Sequence, residues 1–262
     1  MAEPITRLFL QRFPIRLPLD LPHRDEWIPV LKARSLNVVT DKAPFAFAVV
    51  LKNSEEYKIL CESGEEVVNL PSMPQDQTSV SQVGDILEHL ARFRLVRDLV
   101  NEALVDSFRE SYNVYIQSGG KEYGPGVQLE MKHGAIAELV IKNRGEKVLY
   151  AFVYDLGPSW QVENINRGTY IVATPRNDGE RFTGTRRIKL QMRVPDKMKE
   201  QGYHSCRDIV KVFITSRPTS FDLLELPRLG GPARTIKPNR TDQVGEEPEN
   251  WAAMDFPILS SL

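Results

Sequence analysis

Between Val80 and Leu95 the apolar residues fall at positions 80, 83, 86, 87, 90 and 93, the 3.6-residue repeat of an amphipathic helix. Ser79 and Gln82 stand three positions apart at its start, a capping-box pair that predicts where the helix begins. Gln82, Asp85, Glu88 and Arg92 occupy the opposite face, so one side meets water and the other lies on a sheet. The strands of that sheet are predicted upstream. "SLNVV", "APFAFAVVL" and "EYKILCESGEEVVNL" are β-branched or aromatic runs bounded by polar turns, with Ser63-Gly64 as the expected hairpin turn. Residues 1–104 therefore read as a small α/β unit.

From about residue 105 the period becomes two. "YNVYIQ", "GVQLEM", "AIAELVIKN", "KVLYAFVYDL", "RRIKLQMRV" and "DIVKVFITS" are separated by Gly, Asn, Pro and charged residues. In "RRIKLQMRV", Ile188, Leu190, Met192 and Val194 alternate with Arg187, Lys189, Gln191 and Arg193, the pattern of a half-exposed antiparallel strand. The unbroken "VLYAFVY" predicts a central strand covered on both faces. The expected fold class is α+β: the N-terminal α/β unit, then an antiparallel β-sandwich of immunoglobulin-like kind over residues 105–228. After Pro227 the chain turns to Gly, Pro and charge, so residues 229–262 read as an irregular tail. Its closing "WAAMDFPIL" is expected to return as an edge strand, where Pro257 removes no ladder bond.

Composition narrows the function classes. With 34 basic and 35 acidic residues among 262, the formal charge is -1, and no global field gathers nucleic acid or an anionic membrane. The apolar run at 43–51 is far shorter than the ~20 residues of a membrane helix. Only Cys61 and Cys206 are present, and Arg7, Arg12 and Arg16 interrupt the apolar N-terminal stretch, so a reducing, cytoplasmic setting is expected. The "NRT" sequon at Asn239 carries no weight in that setting.

Reaction chemistry finds little purchase. "SGGKEYGPG" has the glycines of a phosphate loop without its spacing or hydroxyl. His23, His89, His133 and His204 are scattered and neither cysteine has a C-x-x-C partner, so no metal or cofactor is expected. Glu55-Glu56 and Glu65-Glu66 read as solvated turn carboxylates of ordinary pKa, and the basic clusters at Arg186-Arg187 and Lys197–Lys199 as balanced surface. His204-Ser205-Cys206 could pair a thiol with a base, but nothing nearby supplies an oxyanion hole, and Cys206 reads first as packing. In "GPSW", Trp160 is read as a plug at one end of the sandwich ahead of a recognition aromatic.

Two stretches, "VLYAFVYDLGPSWQVENI" and, sixty residues later, "DIVKVFITSRPTSFDLLELP", resemble the β-sandwich that follows the peptidase domain in many fungal caspase-domain proteins. "DKAPFAFAVVLKNSEEYKIL", "VGDILEHLARFRLVRDLVN" and "WAAMDFPI" are similar to the flanking parts of that region. The motifs concern packing, with Gly157, Pro158, Trp160 and Phe221 as candidate scaffold or interaction residues. Gln161-Val162 stands where the resemblance implies Gly-Ile. No position matches the family's catalytic His or Cys, so no catalytic residue is carried over. The resemblance implies a non-catalytic accessory or regulatory region, partnered with protein and specifically with a caspase-like peptidase domain in cis or in trans. Its working surface is expected on loops 118–126 and 176–184. The alternatives are a free-standing protein-binding module and a small thiol enzyme using Cys206 with His204.

Overall fold

A computed structural model describes residues 13–40, 42–175, 184–219, 221–230 and 250–262. The expected 176–184 loop, apart from Gly184, the Asn239 sequon and most of the tail lie outside them. The chain is mostly β-sheet, a β-rich α+β fold, and divides into two compact units: Met1–Asp98 with Leu226–Pro232, and Leu99–Glu225 with Ala233–Leu262. Among the described residues no helix is long and apolar enough to cross a membrane.

The first unit contains β1 (Phe13–Arg16), α1 (Arg24–Ala33), β2 (Leu36–Val39), β3 (Phe47–Lys52), β4 (Glu56–Cys61) and α2 (Val80–Asp98). Its sheet runs β2-β1-β3-β4, with β1 parallel to both β2 and β3. The strands of "SLNVV" and "APFAFAVVL" thus lie on either side of β1, an element that "FPIR" is too short to announce. Helix α1 is likewise invisible to periodicity, because it contains Pro29 and buries only Trp27 and Leu31. Trp27 secures it by donating to the Pro22 carbonyl at 3.1 Å and meeting Tyr57 edge-on at 5.6 Å. The α2 capping box forms as expected: Ser79 N–H donates to Gln82 Oε1 at 2.8 Å and Gln82 N–H to Ser79 Oγ at 3.3 Å. A Cβ at Gly84 would lie 2.8 Å from Val30 Cγ1, so glycine permits the close approach of α1 and α2. The Ser63-Gly64 turn is present with Gly64 at φ 83°, and the chain returns through a single bridge from Leu60 to Glu66.

The second unit adds α3 (Asp106–Glu110), β5 (Tyr112–Ser118), β6 (Lys121–Tyr123), β7 (Leu129–Lys132), β8 (Ile136–Asn143), β9 (Leu149–Leu156), β10 (Val162–Asn164), β11 (Ile171–Ala173), β12 (Thr185–Gln191), α4 (Asp196–Glu200), β13 (Ser205–Thr215) and β14 (Trp251–Ser261). One sheet runs β12-β8-β5-β6; the other runs β10-β9-β13-β14-β7, with β11 also on β9. Val114, Ile116, Leu139, Ile141 and Leu190 from the first sheet share one buried cluster with Ala151, Val153, Val210, Val212, Ile214 and Phe256 from the second. Alternation decides membership, since every second residue of each strand points into the cluster. Gly119 and Gly120 take φ 56° and 77° between paired Ser118 and Lys121, the backbone of a two-residue hairpin turn.

Two differences stand out from what the pattern predicts. The pairing of β14 with β7 is parallel, so the unit is not wholly antiparallel. And β14 is no edge strand: it lies between β13 and β7, paired with β13 over its whole length from Trp251 to Ser261. Pro257 survives there for a local reason. The Asp255 carbonyl accepts from Gly126 N–H on the β7 flank, and alternation turns the nitrogen of Pro257 to that same flank. Pairing with β7 begins only at Ile258, so the β13 ladder loses nothing.

Candidate functional site

The six-stranded sheet turns its other face toward aromatic side chains. Phe152 of β9 and Phe213 of β13 are 4% and 0% exposed, and Phe221, which precedes a single helical turn at Asp222–Leu224, lies on both. Its ring stacks on Phe213 at 4.6 Å and meets Phe152 edge-on at 4.9 Å. Tyr154 meets Phe213 at 5.9 Å, and Tyr170 meets Phe152 at 5.7 Å. The two sequence stretches that carry the resemblance therefore touch through these rings.

The "GPSW" turn is built around a residue that stood out in the sequence only as a departure from the resemblance. Gln161 is buried, and its Oε1 accepts from Ser159 N–H at 3.1 Å. Gly157 N–H donates to the Gln161 carbonyl at 3.1 Å, and Trp160 N–H to the Gly157 carbonyl at 3.1 Å. A Cβ at Gly157 would stand only 2.0 Å from Gln161 Nε2, so glycine leaves room for the Gln161 amide in the place it occupies. Trp160 itself takes the left-handed conformation at φ 63° and is half-buried, as is Pro158. It is therefore not a fully enclosed plug.

Across the same face runs a polar row. Register places Asn164 opposite Tyr154, Tyr154 opposite Lys211, and Lys211 opposite Asp255. Lys211 is wholly buried, and its Nζ donates to Asp255 Oδ1 at 2.9 Å. Tyr154 is also wholly buried; burial first, then the nearby Glu225 charge, raise its phenol pKa, while Asn164 opposes them. Asn164 sits against the hydroxyl, yet Tyr154 Oη meets no partner in hydrogen-bond geometry.

The His204–Cys206 dyad weighed as an alternative is not assembled. His204 is exposed, whereas Cys206 is buried and its thiol donates to Asp208 Oδ2 at 3.5 Å. Burial and the adjacent Asp208 charge push the Cys206 thiol up to about 12, which disfavours the nucleophilic thiolate. Burial raises Asp208 to about 6, against the hydrogen bond from Cys206. Cys61 is the reverse case: half-buried, with its pKa lowered chiefly by the Ser63 hydroxyl 3.0 Å away. Glu56 and Glu66 do not keep the ordinary pKa expected of them. Hydrogen bonds from Lys58 and Ser72 lower Glu56, and for Glu66 the burial cost is outweighed by Lys58 and Lys52.

A cleft of about 540 Å³ opens at the β10 edge, lined by Asp155, Glu163, Asn164, Ile165, Arg167, Gly168 and Glu225. Asp155 and Glu163 are direct cross-strand partners. Its rim is held by short bonds: Asn166 N–H donates to Asn164 Oδ1 at 2.8 Å, and Asn166 Nδ2 to Thr169 Oγ1 at 2.7 Å. Left-handed Arg167 and Gly168, at φ 55° and 78°, turn that loop. Sequence reasoning missed the cleft because its carboxylates lie far apart along the chain, at 155, 163 and 225, and only strand pairing unites them. Among the described residues no group of three or more His, Cys, Asp or Glu is placed to hold a metal ion. No protein-family model matches the chain, and no curated protein is detectably similar to it.

Proposed function

We propose that this chain is a non-catalytic interaction module that accompanies a caspase-like cysteine peptidase, docking on the peptidase domain in cis or in trans. In this reading the second unit is an immunoglobulin-like sandwich that departs from the antiparallel rule only where β7 joins β14. The observation that carries the reading is the Phe152–Phe213–Phe221 contact. The aromatic residues of both resembling stretches are consumed by packing on one sheet, which is the role a scaffold motif demands. The exposed hairpin at Gly119-Gly120 and the cleft rim leave the variable chemistry to loops on that scaffold.

The test is association with a caspase-like peptidase domain from the same genome, expressed separately and mixed with the full chain. Co-elution in size-exclusion chromatography at micromolar concentrations is the expected result. Separate elution at 50 μM of each, roughly tenfold above a weak micromolar affinity, overturns the partner assignment. Thiol labelling addresses the enzyme alternative. At pH 8 Cys61 reacts first and Cys206 only when the protein unfolds. Rapid labelling of native Cys206 would instead revive a thiol chemistry.

A further inference from the structure

Where β13 begins and β14 ends, the space between the two sheets holds a buried acid. Cys206 and Asp208 lie on the same side of β13 as Val210, Val212 and Ile214, so both point inward. Asp208 is 6% exposed, and its carboxylate accepts from the Cys206 thiol at 3.5 Å. Ser260, the cross-strand partner of Cys206, shares that side and is wholly buried, yet its hydroxyl reaches no partner. The hydroxyl thus gives the carboxylate nothing, and a thiol is a weak donor.

The cover over this end is the segment 193–204, which contains α4. Val194 and Met198 pack on Cys206 in a small cluster of their own. Polar ties bind the segment to the strands: Val194 N–H donates to His133 Nδ1 at 3.1 Å, Leu262 N–H to the His204 carbonyl at 3.0 Å, and the Cys206 thiol to the Arg193 carbonyl at 3.8 Å. The thiol has one proton and faces two acceptors, the Asp208 carboxyl and the Arg193 carbonyl of the cover. An ionised carboxylate claims that proton through a charge-assisted bond, whereas a protonated one leaves it to Arg193.

We infer that residues 193–204 form a proton-operated cap: with Asp208 protonated the cap is tied down through the Cys206 thiol, and with Asp208 ionised it lifts far enough to admit water to the charge. Solvation drives the opening, because an ionised carboxylate among apolar side chains gains from any movement that wets it. Burial raises the acid of Asp208 to about 6 in the seated state, against an ordinary 3.8. Opening therefore grows as pH rises between those values and levels off above them. The surrounding charged groups do not reproduce this direction. Burial, with the charges of Asp208 and of Asp155, which faces the same side from β9, pushes the Cys206 thiol up to about 12, so it keeps its proton. Asp196 of α4 is held below its ordinary range by Lys199 and is charged across the window. Arg193, Lys197, Glu200 and His204 of the cap are exposed, where water and salt screen them. His133 accepts from Val194 only while Nδ1 carries no proton, so its protonation loosens the cap in acid, the opposite sign.

The experiment measures hydrogen exchange of the full chain by mass spectrometry at pH 4.5 and pH 7.0, with protection taken relative to the intrinsic rate at each pH. Protection in residues 193–204 is expected to be at least tenfold lower at pH 7.0, the full displacement of the Asp208 acid allowing roughly a hundredfold. Exchange there stays insensitive to urea up to about 1 M, because only the cap opens, while amides of β9 and β13 respond to it. Asp208→Asn keeps the shape without the titration and gives equal protection at both pH values. His133→Asn keeps an acceptor beside Val194 without an imidazole and retains the fall. Equal protection at both pH values in the parent chain, a fall that survives Asp208→Asn or vanishes in His133→Asn, or a urea response matching that of β9 each overturn the proposal. Should Asp208→Asn not fold, the parent chain's pH and urea responses decide it together with His133→Asn.

Discussion

The two faces of the six-stranded sheet solve the burial problem differently. Toward the second sheet, β9, β13 and β14 present mainly aliphatic side chains of modest size, Ala151, Val153, Val210, Val212, Ile214, Ala252 and Ile258, with the ring of Phe256 among them. Away from it the same strands present Phe152, Tyr154, Lys211, Phe213 and Asp255. The reason lies in what covers each face. A facing sheet sets a nearly constant spacing of about 10 Å, and interdigitated aliphatic side chains fill it without leaving polar atoms unmet. Irregular segments such as the one around Phe221 leave uneven gaps, which large rings fill, and bring backbone carbonyls that tolerate polar neighbours. Thr215 illustrates this, with its hydroxyl donating to the Arg217 carbonyl at 2.6 Å. Binding chemistry has room on such a face because its cover is made of loops.

Substitutions that treat the faces unequally test this contrast. The largest effect is expected from Asp255→Ala, which takes the carboxylate from wholly buried Lys211. A loss of about 3–5 kcal/mol in urea unfolding is expected, with most of it recovered in the Asp255→Ala, Lys211→Met double variant. Additive losses in the double variant would mean the pair is not coupled. Phe221→Ala should cost about 3 kcal/mol, and Val212→Ala on the aliphatic face about 2 kcal/mol. A reversed order would place the weight of the fold on the sheet-to-sheet core alone.

Asp208 provides a smaller, pH-dependent effect. Its pKa in the fold is raised to about 6 from the ordinary 3.8. The folded chain therefore binds more protons than the unfolded one between those values, and stability falls as pH rises through that window. Above pH 7 the cost is complete, at most ~3 kcal/mol from the size of the shift. Asp208→Asn should flatten the profile and raise the midpoint of unfolding at pH 7.5, with little change at pH 4. A parallel profile in the variant would assign the pH dependence elsewhere. The smallest effect belongs to the cleft edge: Glu163→Gln should alter stability by no more than about 0.5 kcal/mol in urea unfolding.

Regular alternation and the helical repeat were legible from residues alone. The strand runs at "YNVYIQ", "AIAELVIKN", "KVLYAFVYDL" and "RRIKLQMRV", and the capped helix, appear where the patterns place them, because periodicity reports which side of an element leaves water. Helix α1 was hidden by Pro29 and by having only two buried positions, and β1 by its four-residue length. The bracing role of Gln161 was hidden because a buried amide that braces a turn has no period.

Sequence by itself determined which residues are buried in most strands and that "VLYAFVY" is covered on both sides. Tertiary structure alone decided that β14 enters the middle of its sheet, that Lys211 meets Asp255, and that Asp155, Glu163 and Glu225 border one cleft. Burial is a property of each residue's own side chain and its place in a local repeat. Adjacency between strands distant in the chain is a property of pairing, which the hydrophobic pattern constrains in register but does not assign to a neighbour.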